Sequence, residues 1–134
     1  MNNKEIEEKV KQLVHSITYE KGFVCSIDIL LKLGYLSQSD LESWRFGRVD
    51  YLERVCMVNL SKLSTVNRIL KQTANNLKLD QSRTDYRKFG KGVKIRLYFS
   101  KSRNKNIEEF YATHFLDKKR IDELKKIKAD LNLS

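Results

Sequence analysis

The stretch SRTDYRKFGKGVKIR, residues 82–96, has the residue types and the spacing needed to bind an anion. Six lysines and arginines stand against one acid, and Tyr86 and Phe89 are interleaved with them. Two glycines flank Lys91 and would let backbone N–H groups approach an anion that larger residues would keep at a distance. An arginine can bind phosphate through two parallel hydrogen bonds, which adds register to affinity. The stretch therefore predicts a phosphate-binding segment.

The positive charge continues beyond this stretch, and this favours binding over a charged turn that is merely solvated. No acid occurs from residue 86 to residue 107. The loop FSKSRNKN, residues 99–106, repeats the basic pattern. It could insert into a groove or remain a mobile solvated loop, and both interpretations stay open. The predicted phosphate contacts are Arg83, Arg87, Lys88, Lys91, Lys94, Arg96, Lys101, Arg103 and Lys105.

The overall charge distribution supports a polyanionic partner. The net charge is +10. Residues 1–44 contain five Lys/Arg against seven Asp/Glu (net −2), residues 45–105 contain sixteen against four (net +12), and residues 106–134 contain six against six (net zero). Charge concentrated in one segment steers polyanions toward one surface, and nucleic acid is the commonest such partner.

The helix predicted from about Ser61 to Leu77 is the candidate groove reader. Its sequence carries Lys62, Arg68 and Lys71 among serines, threonines and asparagines, and such residues can hydrogen-bond to base edges. The same residue types occupy any exposed helix face, so base reading and simple solvation both remain open here.

The stretch LESWRFGRVDYLERV, residues 41–55, contains the only tryptophan of the chain. The favoured interpretation is a structural corner in which aromatic rings fill the joint between two helices, with Arg48 adding charge to a binding face. Alternatively, its arginines bind phosphates while a ring stacks on a base. In a third interpretation the protein docks on an acidic protein through exposed anchors, since aromatic residues and arginine dominate interface hot spots. Those anchors would be Trp44, Phe46, Tyr51, Tyr86 and Phe89.

Catalysis is not expected. The chain has no Walker loop, no Gly-x-Ser-x-Gly, no His-Glu-x-x-His and no Cys/His zinc spacing. Its basic segment holds only four scattered acids, whereas a metal nuclease needs a carboxylate cluster. His114, near Glu108 and Glu109, lacks a nucleophile partner and is expected to be packed. We therefore predict no enzymatic activity, no metal and no cofactor.

Cysteine usage and hydropathy indicate a cytoplasmic protein without membrane attachment. Cys25 and Cys56 form no Cys-x-x-Cys pair and are expected to be free thiols in a reducing compartment. No apolar run approaches the roughly 18 residues of a membrane span, and the charged N-terminus lacks the apolar core of a signal peptide.

Apolar spacing predicts a mostly helical chain that forms a single domain over residues 1–134. The first helix ends at Gly22, the second is capped by Ser26 and stops at Gly34, and the third is capped by Ser37 or Ser39 and ends near Gly47. Asp50 and Glu53 suggest that another helix begins in DYLERVCMV, residues 50–58. The longest helix lies in residues 59–79, and a charged C-terminal helix spans residues 117–134 with a seam made by Ile121, Leu124, Ile127 or Lys128, and Leu131.

A change of period predicts a β-hairpin between the last two helices. GVKIRLYF, residues 92–99, alternates with Val93, Ile95, Leu97 and Phe99 on one face. Its favoured partner is FYATHFL, residues 110–116; the alternative is a helix from Asn106 through Ala112. The whole is an α+β fold, with short N-terminal helices, one longer central helix, a hairpin and a C-terminal helix. Winged-helix domains have a similar element order, and the similarity is one of order only.

Several stretches resemble a family of small bacterial and phage proteins with an LExWRxGRxxYLERV-type motif. They are LESWRFGRVDYLERV, NLSKLS, KFGKG, FSKS and YATHF, and the resemblance spans about residues 24–117. It implies a cytoplasmic prokaryotic or mobile-element protein and brings no activity or site residues.

The sequence therefore predicts a non-catalytic nucleic-acid-binding protein, with duplex DNA favoured over RNA. The alternative is a basic interaction or inhibitor protein that docks on an acidic protein surface. The protein would be a monomer, or a homodimer formed through the C-terminal helix.

Overall fold

The structure, a computed structural model, describes residues 1–133 and confirms the α+β class. Within that range it contains six α-helices and a small antiparallel sheet. The helices are α1 (Asn3–Lys21), α2 (Ser26–Leu33), α3 (Gln38–Arg45), α4 (Leu60–Asn76), α5 (Lys105–Ala112) and α6 (Lys118–Leu133); the strands are β1 (Phe23–Val24), β2 (Asp80–Arg83) and β3 (Thr113–Leu116). None of these helices is long and apolar enough to span a membrane.

Most helix ends follow the sequence signals. The side chain of Asn2 accepts a hydrogen bond from the Glu5 backbone N–H at 2.9 Å and caps α1, which ends at Gly22 with φ 86°. The predicted cap of α2 is wrong by one residue, because Cys25 is the N-cap and Ser26 is the first residue of the helix. Ser37, one of the two predicted caps, accepts from the Asp40 N–H at 3.0 Å and begins α3.

The core lies chiefly between α1 and α4. Ile6, Val10 and Val14 of α1 are fully buried, as are Val66 and Leu70 of α4. Leu60 and Leu77, which the sequence places on the same apolar stripe of α4, are exposed at its two ends. The apolar stripe of α4 therefore packs inward, and its polar faces are left to solvent.

The sheet has the order β1–β3–β2, with both pairs antiparallel. Phe23 of β1 and Asp80 of β2 both pair with Leu116 of β3. Residues 84–104 separate β2 from α5, and we call them the basic loop.

The predicted strand at residues 92–99 is wrong. Leu97 and Phe99 are buried, but Val93 is 80% exposed and Ile95 is 52% exposed. The segment folds back on residues 86–88 through the Lys88 N–H to Ile95 O and Leu97 N–H to Tyr86 O bonds, both 2.9 Å. The only ladder contact there is an isolated Arg87–Arg96 bridge. The four apolar residues of the alternating pattern do not share one face. Val93 and Ile95 lie at an exposed tip, and Leu97 and Phe99 lie where the chain enters the core.

The predicted hairpin partner at residues 110–116 is also wrong in its first half. Residues 110–112 complete α5, close to the alternative helix from Asn106 through Ala112. The side chain of Asn104 begins α5 by accepting from the Asn106 and Ile107 N–H groups at 2.9 and 3.2 Å. Only residues 113–116 are extended, and they pair with β1 and β2 rather than with residues 92–99.

The helix predicted over residues 50–58 is reduced to a 3₁₀ turn, Leu52–Val55. Asp50 does not cap it and instead forms an ion pair with Arg54 at 3.2 Å. The Leu52 and Glu53 N–H groups donate to Tyr98 O and Phe99 O at 3.1 and 2.9 Å. Pairing with the basic loop has replaced helical hydrogen bonding here. The predicted C-terminal helix extends to Ser134, which lies outside the described residues.

Candidate nucleic-acid interface

An aromatic cluster holds the basic loop against the helices. Trp44 is 0% exposed, and its ring centroid lies 5.1 Å from that of Phe99 and 5.8 Å from that of Tyr86. Phe99 also stacks on Tyr111, with the planes 4° apart and the centroids separated by 5.1 Å. Trp44 Nε1 donates to Tyr98 O at 2.8 Å. Rings from α3, α5 and the loop thus share one core, which fixes a segment that has little regular hydrogen bonding of its own.

This packing decides between the interpretations of the tryptophan stretch. Trp44 belongs to a structural corner, as the favoured interpretation predicts, and cannot serve as an exposed anchor. Tyr86 is partly buried, and its hydroxyl lies 2.8 Å from His114 Nε2. Tyr51 is also partly buried. Of the five proposed anchors, Phe46 and Phe89 are the exposed ones, at 39% and 46%.

Glu108 positions the second half of the basic loop. Its carboxylate is only 4% exposed and accepts from the Phe99 N–H at 2.9 Å, the Ser100 N–H at 2.8 Å and the Ser100 Oγ at 2.7 Å. Three donors on one carboxylate satisfy its hydrogen-bonding capacity in place of water. The acid at the end of the long basic stretch is therefore structural and does not neutralise the exposed cations.

Six of the nine predicted phosphate contacts, together with Arg48, have no carboxylate partner among residues 1–133. They are Arg48, Lys88, Lys91, Lys94, Arg96, Lys101 and Arg103. All are exposed except Lys88, which is partly buried where its side chain crosses Gly47. The positive charge of the loop is thus presented to solvent and is not consumed in internal ion pairs.

The other predicted contacts have acidic partners or lie elsewhere. Arg87 Nε lies 2.8 Å from Asp85, while Arg83 and Lys105 approach Glu109 at 3.0 and 4.0 Å. Lys71 lines a small cavity of about 170 Å³ together with Arg83. The structure therefore brings Lys71, Arg83 and Lys105 together around Glu109.

The main groove runs along the inner side of the basic loop. One cavity of about 620 Å³ lies between residues 47–51 and residues 95–103, and Arg96, Lys101 and Arg103 line it. A second cavity of about 930 Å³ shares Tyr51, Ser100 and Lys101 with the first and reaches the first turn of α4. We call this continuous space the loop groove.

A tyrosine ring orders two of the groove cations. The guanidinium carbons of Arg96 and Arg103 lie 5.6 and 3.8 Å from the centroid of the Tyr98 ring. Cation–π contacts of this kind restrict the side chains while leaving their N–H groups free to bind an anion.

Helix α4 contributes less to the groove than the sequence suggests. Asn59, Leu60 and Ser64, at its start, line the groove. Lys62, Arg68 and Lys71, the predicted reading residues, do not line it. Because the apolar stripe of α4 packs on α1, these three cations lie on the remaining faces of the helix. Arg68 and Lys71 are exposed there, and Lys62 is partly buried.

Arg45 is a residue that the sequence reasoning missed. Its guanidinium carbon lies 3.7 Å from the Phe89 ring centroid and 5.0 Å from that of Tyr86, and no carboxylate among residues 1–133 forms an ion pair with it. Arg48 lies over Phe46 at 5.3 Å. The signal was the alternation of arginine and aromatic residues over residues 44–48, which was interpreted above as a structural corner to which Arg48 adds charge.

The nucleophilic side chains are held in unreactive environments. Burial raises the pKa of both Cys25 and Cys56 to about 12, so their thiols are protonated at neutral pH. Within residues 1–133 no group of three His, Cys, Asp or Glu side chains is arranged to hold a metal ion. His114 contacts Tyr86 and stacks on Phe23, while Glu108 is engaged by the loop backbone.

Comparisons of the chain with protein-family models, with curated protein sequences and with solved structures found no match.

Proposed function

We propose that the protein binds nucleic acid without catalysis, through the basic loop and the loop groove, and prefers duplex DNA to RNA. The observation that carries this proposal is the set of seven cations that have no carboxylate partner among residues 1–133. Six of them lie along the basic loop, and the seventh is Arg48. The free thiols and the bacterial and phage resemblance support a cytoplasmic setting in a prokaryote.

Electrostatics explains why such a loop would bind a polyanion. Each phosphate neutralised by a lysine or arginine releases condensed counterions, and this release supplies most of the sequence-independent affinity for DNA. Cations already paired with acids would first have to lose those partners. The unpaired set can therefore contribute more than Arg83, Arg87 or Lys105, each of which has a carboxylate at 4.0 Å or less.

The geometry suggests how a duplex would be engaged. The exposed tip of the loop, residues 89–95, would take the place of the hairpin wing in the winged-helix analogy. The start of α4, which borders the loop groove, would approach the bases. Phosphate contacts from the loop would set the position of the duplex and would carry little sequence information.

The test is fluorescence anisotropy with labelled duplex DNA, single-stranded DNA and RNA, at about 50 and 200 mM salt. The loop variant replaces Lys91, Lys94 and Lys101 with glutamine. The matched control replaces Lys4, Lys9 and Lys125 with glutamine. These lysines are also exposed but lie on helices α1 and α6, and the control loses the same amount of charge as the loop variant. We expect each lost phosphate contact to reduce the log–log salt slope by about 0.9 in the loop variant, with the control unchanged.

Two results would overturn the proposal. One is an absence of binding to any of the three nucleic acids at the lower salt concentration. The other is an equal loss of affinity in the loop variant and in the control, because binding would then depend on total charge and not on the loop.

A second candidate function is docking on an acidic protein, as an inhibitor of phage or mobile-element type would do. It is favoured by the exposed apolar side chains at the loop tip, which accompany the unpaired cations. Phe89, Val93 and Ile95 are exposed at the tip, and Phe46 is exposed beside Phe89. Apolar anchors surrounded by charge are typical of protein interfaces. This candidate would be preferred if the wild-type protein bound none of the oligonucleotides.

A further inference from the structure

A separate cavity of about 460 Å³ opens beside the exposed Phe46–Phe89 pair. Its volume falls within the range of roughly 300–1,000 Å³ that is usual for small-molecule sites. Five rings line it, and we call it the aromatic cavity. They are the rings of Phe23, Phe46, Tyr86, Phe89 and His114.

The rings of the aromatic cavity present flat surfaces. Phe23 and His114 are stacked, with their planes 4° apart and centroids 5.5 Å apart. Phe46 and Phe89 meet edge to face at 5.9 Å. The Arg45 guanidinium lies 3.7 Å from the centroid of Phe89 and adds a second planar group. A planar ligand could stack on several of these surfaces.

Polar groups stand among the rings. Asp28 lines the cavity and binds Lys21 at 2.8 Å and the Cys25 N–H at 3.2 Å. Gln38 and Glu42 also line it, on the α3 side; the Gln38 amide donates to the Glu42 carboxylate at 3.5 Å and has an oxygen that can accept. An apolar pocket with a few directed hydrogen-bonding groups suits a heteroaromatic ring better than an aliphatic ligand.

The aromatic cavity is continuous with the cationic surface. Arg45, Phe46 and Phe89 belong to its wall, and Arg48 lies over the Phe46 ring at 5.3 Å. Lys88 crosses Gly47 immediately beside Phe46. A phosphate attached to a ring inside the cavity would therefore meet cations at the mouth.

We propose that the aromatic cavity receives an unpaired nucleobase. The inference rests on the proposed nucleic-acid binding and specifies one part of it, namely a base that leaves the duplex or occupies a single-stranded end. Proteins that bind bases outside a stack hold them between aromatic side chains and contact their edges with polar groups. A free nucleotide has the same chemistry, and the experiment separates the two sources.

The histidines provide a direct measurement. The chain has two, and His114 lines the aromatic cavity whereas His15 lines a different one. The ring C–H signals of both would be followed by NMR as three ligands are added in turn. These are a blunt duplex, the same duplex with one unpaired base, and a nucleoside monophosphate. We expect the unpaired base to shift the His114 signal and leave His15 unchanged, and the blunt duplex to shift neither.

Truncation of the rings tests the same cavity by affinity. Phe89→Ala and Phe46→Ala should each weaken binding of the duplex with the unpaired base by roughly tenfold more than they weaken binding of the blunt duplex. Tyr19→Ala is the matched control. Its ring is exposed and also carries an arginine, Arg120, at 3.9 Å, but it lies outside this cavity.

The outcomes separate the inference from the function on which it rests. Equal affinity for the two duplexes, with His114 unmoved by every ligand, would overturn the base site while leaving phosphate binding by the loop intact. Absence of all oligonucleotide binding would overturn both, unless the monophosphate alone shifts His114. That last result would support the cavity as a site for a free nucleotide.

Discussion

At the scale of single residues, Glu108 and Trp44 determine where the basic loop lies. Glu108 accepts three hydrogen bonds from Phe99 and Ser100, and Trp44 donates one to the carbonyl of Tyr98. Each side chain satisfies backbone groups that a regular strand would have satisfied through a ladder. These two side chains, contributed by α5 and α3, add to the backbone hydrogen bonds that Leu52 and Glu53 donate to the same segment.

Loss of the Glu108 carboxylate should therefore be costly. Glu108→Ala leaves two buried N–H groups without an acceptor, and we expect the free energy of unfolding to fall by about 2–4 kcal/mol. Glu109→Ala is the control because Glu109 pairs only with surface cations, and its loss should cost less than about 1 kcal/mol. Urea denaturation followed by circular dichroism measures both. Similar values for the two variants would contradict the assigned role of Glu108.

Glu53 gives the stability a dependence on pH. Burial raises its pKa above the ordinary 4.5, the nearby Glu108 adds to the rise, and the hydrogen bond from the Tyr111 hydroxyl opposes it. Above pH 4.5 the folded protein then holds this proton more tightly than the unfolded chain does. The contribution of Glu53 to the free energy of unfolding therefore falls as the pH rises from 4.5 through the raised pKa.

Glu53→Gln removes that titration and keeps an oxygen for the Tyr111 hydroxyl. We expect the variant to gain stability relative to the wild type as the pH is raised from 4.5 to neutrality. Urea titrations at several pH values provide the measurement. A constant difference between the two proteins across this range would show that Glu53 titrates normally.

At the scale of elements, α1 to α4 were predictable, whereas α5, the 3₁₀ turn at Leu52–Val55 and the basic loop were not. The spacing of apolar residues and the caps at Ser37 and Gly22 act locally, so the sequence located α1 to α4 to within a few residues. Strand β2 was missed because its four residues are polar and exposed and therefore show no alternation. Tertiary contacts decide both its existence and its pairing.

The same limit explains the candidate site. The charge run indicated which cations could contact a polyanion, because the sequence alone shows an excess of charge. The sequence did not reveal that Arg83 forms an ion pair with Glu109, since the two residues are 26 positions apart and meet only in the folded chain. It also could not show that Phe46 and Phe89 meet, as they are 43 positions apart.

A pair of substitutions tests the corrected course of residues 92–99. In the alternating strand first predicted, Val93 and Leu97 would be equivalent. In the structure Leu97 is buried and Val93 is exposed. We expect Leu97→Ala to lower the free energy of unfolding by about 2–4 kcal/mol and Val93→Ala by less than about 0.5 kcal/mol. Comparable losses in urea denaturation would restore the strand.

At the scale of the whole molecule, residues 106–134 add no net charge, and none of the described side chains of α6 is fully buried. The segment 45–105 carries the entire charge excess, while α6 begins with half-buried residues such as Ile121 and continues with exposed ones such as Ile127. The seam predicted for α6 is therefore covered only over its first turns. The exposed remainder keeps homodimerisation through α6 as a prediction.

Shortening the chain after Lys126 tests this division. The removed residues contain one lysine and one aspartate, so the net charge stays at +10. We expect the free energy of unfolding to fall by less than about 1 kcal/mol, and the salt slope of DNA binding to stay the same. Sedimentation equilibrium would be run in parallel. A halved mass accompanied by a shallower slope would instead indicate a dimer in which α6 joins two DNA-binding loops.

The way the basic loop is fastened also determines how a protease would meet it. Trypsin cleaves after lysine and arginine, and exposed loop tips are its preferred targets. The backbone is held at Tyr86, Lys88 and Leu97 on either side of the tip, so Lys91 and Lys94 lie in the least restrained part. The first cuts should therefore fall there and leave two fragments joined by the aromatic core. A bound oligonucleotide that covers the same lysines would delay those cuts.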